Sequence, residues 1–142
     1  MSGVVFMPDD VVAAKVASIE RAVRRAREEY AAAGSTFATD LTRQDAAVLN
    51  VQRACEIAID LAQHLVRVGA LGVPTSSRDL FALLANAAVI DPALALSLQK
   101  MVGFRNVAIH EYQRLNLVIV AAIIEQELDQ VLRFTSVALR LI

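Results

Sequence analysis

A single cysteine in 142 residues, Cys55, excludes an internal disulfide, and its apolar helical neighbours mark it as a small buried hydrophobe rather than a reactive thiol. There is no glycine-rich phosphate loop, no cluster of metal ligands and no cysteine set beside a histidine as a nucleophile pair. Glu56 and Asp60, one turn apart, read as two carboxylates on a solvated helix. Charge of neither sign dominates: 14 Lys and Arg face 15 Asp and Glu, for a net charge of −1. Such a molecule has no field with which to collect nucleic acid indiscriminately, so any nucleic acid it handles must be gripped locally. No apolar run approaches the roughly 18 residues that a membrane span needs. The longest, Leu117 to Ile124, stops at Glu125. The opening MSGVVFMPDDVV has no basic residue ahead of its apolar part and does not read as a secretory signal, which leads us to expect a cytoplasmic protein without a membrane partner.

What is present is apolar and helical. The hydrophobic fraction is 56% and the mean hydropathy +0.49, high for a chain of one-domain length, and this suggests an apolar surface covered by a partner chain. Residues 1–142 read as one domain, with no segment alternating at period two and no repeat or linker. From Val12, apolar positions Val16, Ile19, Val23, Ala26 and Tyr30 recur at spacings of three and four until Gly34 and Ser35, with Pro8 and Asp9 near the start. A second helix is predicted from about Asp40 to Val68, closed by Gly69 and Gly72. A short third, capped by Ser76 or Ser77, follows around Leu80 to Ala88. Asp91 and Pro92 start a fourth, and a long final helix covers about Leu115 to Leu139, with Leu117, Ala121, Ile124, Leu128 and Val131 on its stripe. The expected fold is all-α, an antiparallel bundle of four to five helices.

Three groups of polar residues stand out. Arg21, Arg24, Arg25 and Arg27 are interleaved with Glu20, Glu28 and Glu29, the pattern of a solvated face laced with opposite charges. His64, four residues after Asp60, reads as a helix-face residue paired with that carboxylate. The third group is less ordinary. Along the fourth helix Leu94, Leu98 and Met101 set up an inward stripe, and the same spacing continues to Arg105, Ala108 and Tyr112. Arg105 therefore sits where a buried apolar residue is called for, and Asn106 and His110 form a second line on the same helix. A guanidinium cannot shed its charge, so this one must be paired, reach water along a packed stem, or serve a ligand in a cleft.

RNVAIHEY, residues 105–112, resembles the motif of the HepT-like ribonuclease toxins in the HEPN (higher eukaryotes and prokaryotes nucleotide-binding) superfamily: arginine, four residues, histidine, one residue, tyrosine. VQRACEIAIDLAQHL, GVPTSSRDLF and MVGFRN also resemble that family, and the likeness covers nearly the whole chain. The resemblance implies a HEPN-like homodimeric bundle acting as a metal-independent endoribonuclease toxin that needs no cofactor. In such a reaction the RNA 2′ hydroxyl attacks the neighbouring phosphate. Histidine, with an ordinary pKa of about 6.5, can move the protons. Arginine can hold phosphate oxygens with two N–H groups. The resemblance thus assigns His110 as acid or base, Arg105 as phosphate clamp and Asn106 as a support for the imidazole.

It also implies that Tyr112 accepts AMP from a cognate minimal nucleotidyltransferase antitoxin of the MntA type, an anionic addition that would obstruct the site beside Arg105. In-line cleavage is helped by both a base and an acid, and two copies of His110 facing each other across a dimer would supply them. Two other readings stay open at this point. The chain is a noncatalytic regulatory subunit of a nucleotidyltransferase, with Arg105 holding a phosphate, or a purely structural helical dimer in which Arg105 is a snorkelling side chain.

Overall fold

The structure, a computed structural model, describes residues 9–142; Pro8 lies outside the described residues. The helices are α1 (Asp10–Ala33), α2 (Leu41–Val68), α3 (Ser77–Asn86), α4 (Pro92–His110), α5 (Leu117–Ala122) and α6 (Leu128–Arg140), with no strand among the described residues. Each start except that of α6 is capped as its sequence suggests. Asp9, Asp40, Ser76, Asp91 and Asn116 accept backbone N–H bonds from Val11, Arg43, Asp79, Leu94 and Val118, satisfying donors that the helix itself leaves orphaned. Pro92 occupies the first turn of α4, where a missing N–H costs nothing. No helix is long and apolar enough to cross a membrane among the described residues.

The short connection between α1 and α2 makes them an antiparallel hairpin, which is the most extensive pairing in the bundle. Its seam mixes branched residues with alanines: Ile19, Val23 and Ala26 from α1 meet Val51, Ala54, Ala58, Leu61 and Leu65 from α2, all buried. The core continues through Phe81 and Leu84 of α3, Leu94, Leu98 and Met101 of α4, and Leu128, Val131 and Phe134 of α6. Phe81 meets Phe134 edge to face, ring centroids 5.7 Å apart. Burying each such large side chain is worth about 1.5–3 kcal/mol, so the hairpin and the inner faces of α3, α4 and α6 form one cooperative core.

The final helix differs from the expected continuous rod. It starts at Leu117 behind the Asn116 cap, opens into one wide π turn over Ile123–Glu127, and resumes as α6. A π turn inserts one extra residue, which rotates the apolar stripe by about 100°. Val120 is buried upstream of the turn and Ile123 at its start, while Leu117 and Ala121, which the spacing placed in the core, are only half-buried. Glu125 in the turn accepts a hydrogen bond from the Tyr30 hydroxyl, tying the irregular segment to α1.

The arginine-rich face of α1 is paired in part, and across a wider span than expected; Arg21 and Arg24 join no ion pair among the described residues. Arg25 meets Glu28 and Glu29, while Arg43 of α2 also meets Glu29 and Arg27 reaches Asp129 of α6.

His64 corrects the sequence reading. It is buried rather than on an exposed face, and its partner is Asp9, 55 residues away, not Asp60. Arg67 donates to its Nδ1 (3.1 Å), which requires a lone pair there, so Nε2 carries the proton and donates to Asp9. Asp9 thus caps α1 and clasps it to α2. The hydrogen bond from His64, reinforced by backbone N–H groups, holds the Asp9 carboxyl below its ordinary value against the opposing effect of burial. A depressed carboxyl contributes stability above its unfolded pKa, about 3.9, and loses it as pH falls through the lower folded value. Below about pH 4 wild-type stability is therefore expected to fall more steeply than that of Asp9→Asn. Parallel slopes in urea unfolding over that range would show that the clasp carries no such linkage.

Candidate active site

The site is built at the C-terminal end of α4, where the helix packs on α2. Leu94, Leu98, Met101 and Ala108 are buried as the stripe predicts, and Arg105 takes the seam position between the last two, half-buried. Its Nε is fully buried and has no acceptor among the described residues. No ion pair among the described residues includes it. Arg105 faces α2 closely enough for its charge to be felt at Cys55, whose thiol burial nonetheless pushes up to about 12. That cysteine is inert, as its surroundings in the sequence suggest. A buried donor without a partner costs about 1–3 kcal/mol, an expense that an apolar residue at the same position would avoid.

Asn106 and His110 project to the other side. Both are exposed, and His110 is the last residue of α4. His110 is five positions after Arg105, which places them about 140° apart around the axis and about 7.5 Å apart along it. The two do not hydrogen-bond, so within one protomer the fork and the imidazole flank the helix end instead of meeting.

Tyr112 corrects the helical register. Glu111 ends the helix, and Tyr112 begins a tight 3-10 turn that runs to Arg114. Its position follows from this turn and not from the seventh step of the stripe. The ring is 44% exposed, and its hydroxyl donates to Oδ1 of Asp45 in α2. Burial first, and the bond to Asp45 second, push the phenol up to about 12.

Two residues near the site carry no motif. Asp45 lies 67 positions from Tyr112, so only the packing of α2 against the α4 end brings them together. Arg78, near the start of α3, is pinned by reciprocal bonds with Gln99 (3.1 and 3.4 Å) and crosses α4 at Gly103. A Cβ at Gly103 would lie 2.8 Å from the Arg78 Nη2, so a glycine is what lets this second guanidinium rest against the backbone. Gly103, Asn106 and His110 follow one another at spacings of three and four, so Arg78 adds positive charge to the face that bears the histidine. Beside them a groove of about 430 Å³ runs between α4 and α5, floored by Phe104, Val107, Leu115, Ile119 and Ile123. Among the described residues no three His, Cys, Asp or Glu side chains cluster as metal ligands would.

A half-buried arginine without a partner among the described residues, a solvent-facing histidine five residues on and a tyrosine just past the helix end make an unusual trio for a structural bundle. Comparison with known proteins decides what it belongs to. The family model described as ribonuclease HepT-like matches residues 19–138. The chain belongs to that family. This HepT-like chain is 44% identical over 129 residues to the mRNA nuclease HepT of Shewanella oneidensis, covering 91% of its own length and 96% of the relative's. Among solved structures it resembles a chain of the complex between tri-AMPylated Shewanella oneidensis HEPN toxin and MNT antitoxin, at TM-score 0.86 and 43% identity, with 92% of this chain and 97% of that one covered. A chain of a toxin–antitoxin complex solved with AMP-PNP matches equally well, at TM-score 0.86 and 43% identity over 91% of this chain and 97% of that one. The all-α, HEPN-like bundle expected from the sequence is the fold observed.

Proposed function

We propose that this HepT-like protein is the toxin of a toxin–antitoxin pair, an endoribonuclease that acts on RNA in the cytoplasm and is silenced when a cognate MntA-like nucleotidyltransferase antitoxin attaches AMP to Tyr112. The observation that carries the reading is Arg105: a guanidinium held at a core position with a buried, unsatisfied Nε, at the helix end that also presents His110. A phosphate is the ligand that such a fork fits. The relatives named as an mRNA nuclease and as an AMPylated toxin support both halves of the reading.

The chemistry needs no metal. The 2′ oxygen attacks the adjacent phosphorus as the bond to the 5′ oxygen breaks. One imidazole takes the hydroxyl proton, a second protonates the leaving oxygen, and Arg105 stabilises the charge that builds on the phosphate. The products are a 2′,3′-cyclic phosphate and a 5′ hydroxyl. Asn106, one turn before His110, orients the ring.

Two histidines are needed, and His64 is sequestered by Asp9 and Arg67. We therefore assign the second imidazole to His110 of a facing protomer, which also brings a fork opposite each ring. Val118 and Ile119 of α5 are 77% and 54% exposed next to the apolar groove, a surface that a second copy would cover. The purified protein is expected to run as a dimer and to cleave single-stranded RNA in excess chelator, leaving cyclic phosphate ends. Cleavage by a monodisperse monomer would rule out the composite site, and cleavage abolished by chelator would rule out the metal-free route.

A further inference from the structure

Asp45 has no place in the RNA-cleavage chemistry, yet its carboxylate receives the one hydrogen bond that the Tyr112 hydroxyl makes among the described residues. Asp45 sits on an exposed part of α2, and no ion pair among the described residues involves it. An exposed carboxylate that no such pair engages is free to act as a base. Tyr112 faces the converse problem. With its phenol pushed up to about 12, the ring is almost entirely un-ionised near neutral pH, so its oxygen is a poor nucleophile until the proton leaves.

Resting on the reading of Tyr112 as the AMP acceptor, we propose that Asp45 is the base for that modification: it takes the phenolic proton as the oxygen attacks a nucleoside triphosphate held by the antitoxin. The bond from Tyr112 Oη to the α-phosphorus forms, the bond from that phosphorus to the bridging oxygen breaks, pyrophosphate departs with the bonding electrons, and the proton passes to Asp45 Oδ1. The toxin thereby supplies part of the machinery that silences it. The hydrogen bond also orients the nucleophile, since it directs an oxygen lone pair away from α2 toward solvent, from where the antitoxin must deliver the nucleotide.

Asp45→Asn tests this, because the amide oxygen can still accept the hydroxyl hydrogen bond but cannot take the proton. With purified toxin, its cognate antitoxin and labelled ATP, the initial rate of AMP incorporation is expected to fall about 100-fold or more in the Asn variant, the range attributed to a positioned base. Its rate should climb with pH as phenolate forms directly, whereas wild-type toxin is far less dependent on hydroxide. RNA cleavage measured on the same preparation reports whether the variant is folded, and Asp45→Glu, which restores a carboxylate, should recover part of the lost rate. Incorporation at the wild-type rate, or a loss equal at every pH, would overturn the role of Asp45. The underlying reading fails separately: AMP found on a Tyr112→Phe toxin would show that the acceptor lies elsewhere.

Discussion

Replacing His110 by alanine is expected to lower the rate constant of RNA cleavage about 1000-fold, close to 4 kcal/mol of transition-state stabilisation, while the protein still folds, dimerises and binds its antitoxin. The side chain is exposed at the end of α4 and holds no part of the core, so its loss removes a proton carrier and little else. In a symmetric dimer the composite site takes one His110 from each chain, so the variant removes both imidazoles, which makes the loss larger than that of a single acid or base. Arg105 gives a graded companion result. Arg105→Ala should cost about 100- to 1000-fold, and Arg105→Lys should recover only part of it, because an ammonium cannot make the two-pronged contact with phosphate oxygens. Neither change should lower stability much, since the native Nε already lacks a partner. The measurement is single-turnover cleavage of a labelled RNA beside urea unfolding of each variant. Full cleavage with His110 replaced would reject His110 as the proton carrier, absence of cleavage in the wild-type protein would favour a regulatory subunit, and a large loss of stability without loss of cleavage in Arg105→Ala would favour a structural arginine.

Tyr112→Phe should behave in the opposite sense: cleavage persists, and neutralisation is lost. The hydroxyl takes no part in moving protons on RNA, and the bond that it gives up to Asp45 is at the surface and worth about 1 kcal/mol at most. Coexpression with the antitoxin gene should therefore fail to relieve growth arrest, and intact-mass analysis should find no adenylate on the variant. On this reading adenylate on Tyr112 would lie just past the end of α4, where its phosphate is expected to compete for the Arg105 guanidinium. Relief of growth arrest by the antitoxin while the Phe variant stays unmodified would mean that the antitoxin silences the site by binding alone.

Much of this molecule is local and therefore readable along the chain. Asp40, Ser76 and Asp91 cap their helices with side chains that reach only three residues ahead, and the three-four spacing of Leu94, Leu98 and Met101 correctly makes Arg105 the exception in a buried stripe. The resemblance of the octapeptide from Arg105 to Tyr112 to the HepT-like motif likewise lies in consecutive residues, and the family model matches residues 19–138. Helical periodicity fails where the backbone departs from 3.6 residues per turn. The π turn at Ile123–Glu127 shifts the last stripe, and the end of α4 at His110 removes Tyr112 from the line of Arg105.

By itself, then, the sequence determined the helices, their buried faces and the anomalous arginine, because caps and periodicity act within a few residues. Only the tertiary structure decided that His64 belongs to Asp9, that Tyr112 is held by Asp45 and that Arg78 crosses α4 at Gly103. Those partners stand on different helices, and a hydrogen bond across a packed interface depends on how two faces meet in space, which no spacing along one chain encodes.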